Sequence, residues 1–117
     1  MGFSSVKAYL DSLDNIGKEK VLSFISFMDS NFPQYKVKIS FSIPMWWKGE
    51  KMYQGYVGVS AARKHYSIHF SDEEFVLALS NMIKNCKSGK RCININYNDE
   101  ESYSIVKEQV IHFLTRE

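Results

Sequence analysis

The 117 residues carry 15 lysines and arginines against 13 aspartates and glutamates, a formal net charge of +2. This length suits one domain, residues 1–117, and that charge lacks the strong basic excess of a dedicated nucleic-acid binder. With 44% hydrophobic, 24% charged and 15% aromatic residues, the composition excludes a disordered chain and points to a bulky core or an adhesive cleft.

No run reaches the roughly eighteen apolar residues of a membrane span. The opening MGFSSVKAYLDSL has neither the charged n-region nor the apolar h-region of a signal peptide, so the expectation is a cytoplasmic chain that does not enter a membrane. Val6 stands where a myristoylation pattern needs Ser or Thr. Cys86 and Cys92, with five residues between them, match neither the thiol redox spacing nor a zinc knuckle, and both are expected to be reduced.

In chain order, Val6, Leu10 and Leu13 recur at helical spacing and predict a short first helix that ends near Asp14 and Asn15. Val21, Ile25, Met28 and Phe32, widened by Phe24, predict a longer one stopped by Pro33. The period then changes to two. Val37, Ile39, Phe41 and Ile43 alternate with Lys36, Lys38, Ser40 and Ser42, which predicts a strand with one buried face. Lys48 to Glu50 turn the chain, residues 51–60 read as the next strand, and Ala61 to Arg63 turn it again.

From Lys64 to Phe70, Tyr66, Ile68 and Phe70 face one way and His65, Ser67 and His69 the other. Ser71 to Glu74 form a capping box with Ser71 as N-cap, and the helix carries Phe75, Leu79, Met82, Ile83 and Cys86 on one face until Gly89. Ile93, Ile95 and Tyr97 predict a last strand. Asn98 and Glu101 open a final helix that packs Tyr103, Val106, Val110, Phe113 and Leu114.

Sequential strands joined by short turns are antiparallel, because parallel pairs need long crossovers. The expected fold class is α+β, a single compact domain with an antiparallel β-sheet and helices mainly on one face. Trp46 and Trp47 raise a question within that fold. Neighbouring strand residues point to opposite faces, so one indole belongs to the face without helices. There it walls a cleft, unless both rings close a corner of the core. Pro44 lacks a ladder donor and suggests that the segment leaves the regular sheet.

Ser42-Ile43-Pro44-Met45-Trp46, a glycine turn, a hydrophobic strand and then Ala61-Ala62-Arg63-Lys64-His65 resemble the YdhG-like family of small bacterial domains of unknown function. Tyr9 to Leu13, the Phe32-Pro33 stop and Ser88-Gly89-Lys90 extend the similarity over nearly the whole chain. The resemblance implies a compact α+β intracellular domain. One branch of the family is described as frataxin-like intracellular iron chaperones, which makes iron binding and delivery the alternative function. Pro44, Trp46, Lys64, His65, Gly89 and Lys90 match the family's recurrent positions, whereas Trp47 and the stretch from Arg91 to Asn94 depart from them.

No nucleophile elbow, phosphate loop or HExxH pattern occurs, so the chain is not expected to be an enzyme. His65 and His69 share a strand face, but four residues hold their backbones roughly 13 Å apart, too far for one metal ion. His112, beside Ile111 and Phe113, suits packing near a helix end. No cofactor is expected, apart from iron under the alternative. Lys84, Lys87, Lys90 and Arg91 suit a helix C-terminus and solvent, and the functional alternative is an anion site in which Lys90 or Arg91 joins Lys64 and His65 beside a tryptophan ring. The carboxylate triplets Asp72 to Glu74 and Asp99 to Glu101 suit helix starts. The candidate ligand-binding set is therefore Pro44, Trp46, Trp47, Lys64, His65 and Lys90, a cleft for a small anionic ligand or a protein segment.

Overall fold

A computed structural model describes residues 5–83 and 87–115. Helix α1, Val6–Asp11, starts at Ser5, whose hydroxyl accepts from the Ala8 amide; α2, Asn15–Asn31, starts at Asp14, whose carboxylate accepts from the Gly17 amide. Each cap satisfies a backbone donor that the first helical turn leaves open. A side chain at Gly17 would meet Ala61 Cβ and Tyr97 Oη at just over 3 Å, so the glycine lets α2 approach the sheet closely.

The alternating run after α2 is not one strand. It splits into β1, Lys38–Ser40, and β2, Ile43–Trp47, and Phe41 and Ser42 form a two-residue turn with φ of +52° and +66°. Positive φ at both central residues is the hairpin geometry that matches strand twist. Neither Asn nor Gly announces it here, which is why alternation alone reads straight through. Pro44 also stays within a strand. Its missing N–H would have faced the next strand, β3, Tyr56–Ala61, and the β2–β3 register accordingly begins one residue later, at Met45 opposite Gly58. Residues 52–54 make a 3-10 turn, so only the second half of the predicted 51–60 strand is extended.

Strand β4, His65–Phe70, follows antiparallel to β3. The next helix, α3, is Glu73–Ser80, and its N-cap is Asp72 rather than Ser71: the Asp72 carboxylate accepts from the Glu74 and Phe75 amides. The Ser71 hydroxyl is occupied elsewhere, accepting from the Tyr56 amide on β3. Helix α3 ends at Ser80 instead of continuing to Gly89. Lys87 and Ser88 form the short strand β5, which pairs with β6, Cys92–Asn96. Lys87 is therefore a strand residue, while Lys84 and the core position expected for Cys86 lie outside the described residues. Asp99, not Asn98, caps α4, Glu100–Thr115, through the Ser102 amide and hydroxyl, and these bonds hold its carboxyl below the usual carboxylate range.

Among the described residues the six strands form one antiparallel sheet in the order β1-β2-β3-β4-β6-β5. Trp46, Val57, Val59, Tyr66, Ile68, Phe70, Ile93 and Ile95 project from one face into a single core with side chains of all four helices. The expected α+β class with helices on one face is the architecture observed. The other face carries Lys38, Met45, Trp47, Ser60, Ser67, His69, Cys92 and Asn94, as strand alternation and the register require.

Candidate functional site

The tryptophan pair divides between the two faces. Trp46 is fully buried on the helix side, in an edge-to-face contact with Phe24 at 5.5 Å between ring centres. Trp47 points the other way and is half-buried. Because Lys38 is opposite Met45, continuing the β1–β2 register by two residues places Lys36 across from Trp47. Lys38 folds its ammonium over the indole, 3.9 Å from the ring centre. A cation at that distance from a tryptophan face is attracted by the ring quadrupole.

Around this ring lies a hollow of about 340 Å³, lined by Trp47, Tyr35, Lys36, Lys38, Lys48 and Glu50 together with Gln34 and Gly49. Three lysines and one glutamate thus line it. Such an excess attracts anions, and the indole and phenol supply flat apolar walls for whatever carries the charge.

A larger hollow, about 470 Å³, lies on the other side of Lys48. Its charges are mostly committed within the fold. Arg91 pairs with Glu73 at 3.6 Å, and the Asp72 carboxylate caps α3. The second acidic triplet is similarly engaged, with Asp99 capping α4 and Glu100 paired with Lys20.

The other sequence-predicted residues do not join Trp47. Trp46 is buried in the core on the helix side rather than in a cleft, and Pro44, also buried, shares its strand face. His65 is on Trp47's face but at the opposite end of the strands. Their partners, Ala62 just after β3 and Tyr56 at its start, are six residues apart, about 20 Å of extended chain. Lys64 is exposed in the β3–β4 turn, beside a separate hollow with Ile16, Asn96, Tyr97 and Asn98. Lys90 is exposed in the turn between β5 and β6, across the sheet from β2. The cations that line the hollow with Trp47 are Lys36, Lys38 and Lys48, and of these Lys38 stacks on the ring. Strict alternation with Val37 and Ile39 was the available signal for the first two; it becomes informative only once the tight turn at Phe41 and Ser42 brings β1 back beside β2.

No protein-family model matches the chain, and no curated protein matches it either. Among solved structures, the crystal structure of YdhG from Bacillus subtilis, a protein from the DUF1801 family, superposes with a TM-score of 0.75, covering 96% of this chain and 89% of that one at 19% identity. The fold is YdhG-like. The similarity covers nearly the whole chain. Among the described residues no helix is long and apolar enough to cross a membrane.

Proposed function

We propose that this YdhG-like chain is a non-catalytic binding domain that holds a small anionic ligand in the hollow at Trp47. The observation that supports it is the excess of charge there: Lys36, Lys38 and Lys48 line the same hollow as Glu50 alone. The indole contributes in a second way. Its Nε1 is buried and has no hydrogen-bond partner among the described residues, so the ring is held by packing and by Lys38 rather than by a polar tether. A planar or phosphorylated anion would accept charge-assisted hydrogen bonds from Lys36 and Lys38 beside the ring.

Calorimetric titration with inorganic pyrophosphate and, separately, with benzoate tests this reading. Binding is expected to weaken with salt, because the contacts are exposed. Lys38→Ala should weaken it about tenfold, equivalent to roughly 1.4 kcal/mol. Trp47→Phe should affect benzoate more than pyrophosphate. Absence of binding for both anions, or unchanged affinity in a Lys36→Ala, Lys38→Ala, Lys48→Ala triple variant, would overturn the proposal.

A further inference from the structure

Strand β1 ends the sheet, so one of its two edges has no neighbouring strand among the described residues. The hairpin fixes which backbone groups that edge presents. A two-residue turn closes on a hydrogen-bonded pair, here Ser40 with Ile43, and the ladder alternates from there, so Lys38 and Met45 are hydrogen-bonded partners while Ile39 and Pro44 are not. The amide and carbonyl of Ile39 therefore point away from β2. Neither makes a hydrogen bond to another element among the described residues.

The two sides of this edge differ in chemistry. Lys36 and Lys38 stand exposed on the helix-free face, and neither belongs to an ion pair among the described residues. The Trp47 indole holds the Lys38 ammonium in place at 3.9 Å from the ring centre. Val37 and Ile39 alternate with the lysines and are half-buried against the core. A second copy of the chain suits this edge badly. The register that uses both Val37 and Ile39 pairs each with the other and sets Lys38 directly against its own copy, and like charges so placed are destabilising.

We propose that β1 is a docking edge for an extended acidic segment of a partner protein, which adds to the sheet as a further antiparallel strand. Apolar residues of that segment exchange main-chain hydrogen bonds with Ile39 and Val37 and continue the core-facing side. The residues between them are acidic. They stand opposite Lys36 and Lys38 in non-hydrogen-bonded pairs, where Cβ atoms approach to about 4.5–5.5 Å and opposite charges attract. Main-chain bonds supply affinity, and the alternation of carboxylate and apolar side chains supplies selectivity. The lysines are shared with the hollow at Trp47, but the open backbone of Ile39 is not part of it.

The experiment is fluorescence anisotropy with a labelled peptide in which glutamate and valine alternate, with hydrogen exchange of the Ile39 amide followed by NMR on the parent chain. Binding is expected, and it should slow Ile39 exchange as the N–H gains a partner. N-methylation of the valines, whose N–H groups face β1, should weaken binding about tenfold or more, whereas N-methylation of the glutamates, whose N–H groups face solvent, should leave it unchanged. A lysine–valine peptide should bind only the Lys36→Glu, Lys38→Glu double variant. Ile39→Pro removes the outward donor and should lose the glutamate–valine peptide while keeping pyrophosphate binding at Trp47, so the two proposals fail separately. Circular dichroism checks the folding of each variant, and the N-methylated peptides test the parent chain without any substitution. Absence of binding, equal binding of the two N-methylated peptides, or unchanged affinity in a folded Ile39→Pro variant would each overturn the docking edge. Ile39 protection that grows with protein concentration in the absence of peptide would also overturn it, by placing a second copy there.

Discussion

Replacing Trp46 by Phe is expected to change stability by less than about 1 kcal/mol, although Trp46 is the largest fully buried side chain. Two effects of similar size oppose each other. Shortening the indole to a phenyl removes roughly 40 Å² of buried apolar surface, about 1 kcal/mol at 25 cal/mol per Å². A residual void of roughly 40 Å³ adds about 1 kcal/mol at 24 cal/mol per Å³. Against this total of about 2 kcal/mol stands the Trp46 Nε1, which is buried and has no hydrogen-bond partner among the described residues. Leaving such a donor unsatisfied costs about 1–3 kcal/mol, and Phe removes the donor. The edge-to-face contact with Phe24 can be kept by a phenyl ring, so it drops out of the difference. Trp46→Ala has no such compensation and should cost about 3–5 kcal/mol. Urea unfolding followed by circular dichroism measures both, provided the m-values agree with the parent's. A loss of more than about 3 kcal/mol in Trp46→Phe would refute the reasoning, because it would mean that the indole N–H is satisfied and that its loss adds to the packing cost.

Two smaller expectations rest on individual residues. Phe41 and Ser42 occupy positive φ with ordinary side chains, so Ser42→Gly at φ +66° should stabilise the β1–β2 hairpin by up to about 1 kcal/mol in urea unfolding; a loss of stability would argue against the two-residue turn. Burial lowers the His69 pKa from the ordinary 6.5, so the unfolded chain takes up a proton first as pH falls. The stability associated with neutral His69 is therefore complete above about pH 6.5 and is lost progressively as pH falls through the lower folded-state value. His69→Gln should flatten that part of the stability–pH curve, and an unaltered slope below pH 6.5 would contradict the burial.

Much of this architecture was legible because periodicity reports which face of an element is buried. Val21, Phe24 and Met28 form the buried stripe of α2, and Tyr66, Ile68 and Phe70 the buried side of β4, as their spacing implied. Boundaries were less legible where one polar group had two possible partners. Ser71 and Asp72 could each cap α3, and the choice depends on the Tyr56 amide, fifteen residues away in sequence, which takes the Ser71 hydroxyl. The end of α3 was hidden for a related reason. Leu79 and Ile83 are buried and look continuous, but the chain leaves the helix after Ser80 and still returns Ile83 to the core.

The candidate site was harder to read because it depends on register rather than on local pattern. Adjacent tryptophans were enough to place one indole on each face, and that part of the reasoning matches the structure. Which cations accompany Trp47 depends on a turn at Phe41 and Ser42 that carries no Asn-Gly signature. A straight strand from Lys36 to Ile43 would send Lys36 and Lys38 away from the indole, and Lys64 and His65 would remain the nearest basic pair by elimination. Closing the hairpin reverses this: Lys36 and Lys38 come to the ring, while Lys64 and His65 stay at the far end of β3 and β4. The same dependence applies to His69 and Cys92, which are widely separated in sequence and share no motif. They become direct partners only through the β4–β6 pairing. Side chains brought together in this way are invisible to spacing rules, since each strand contributes only one of them.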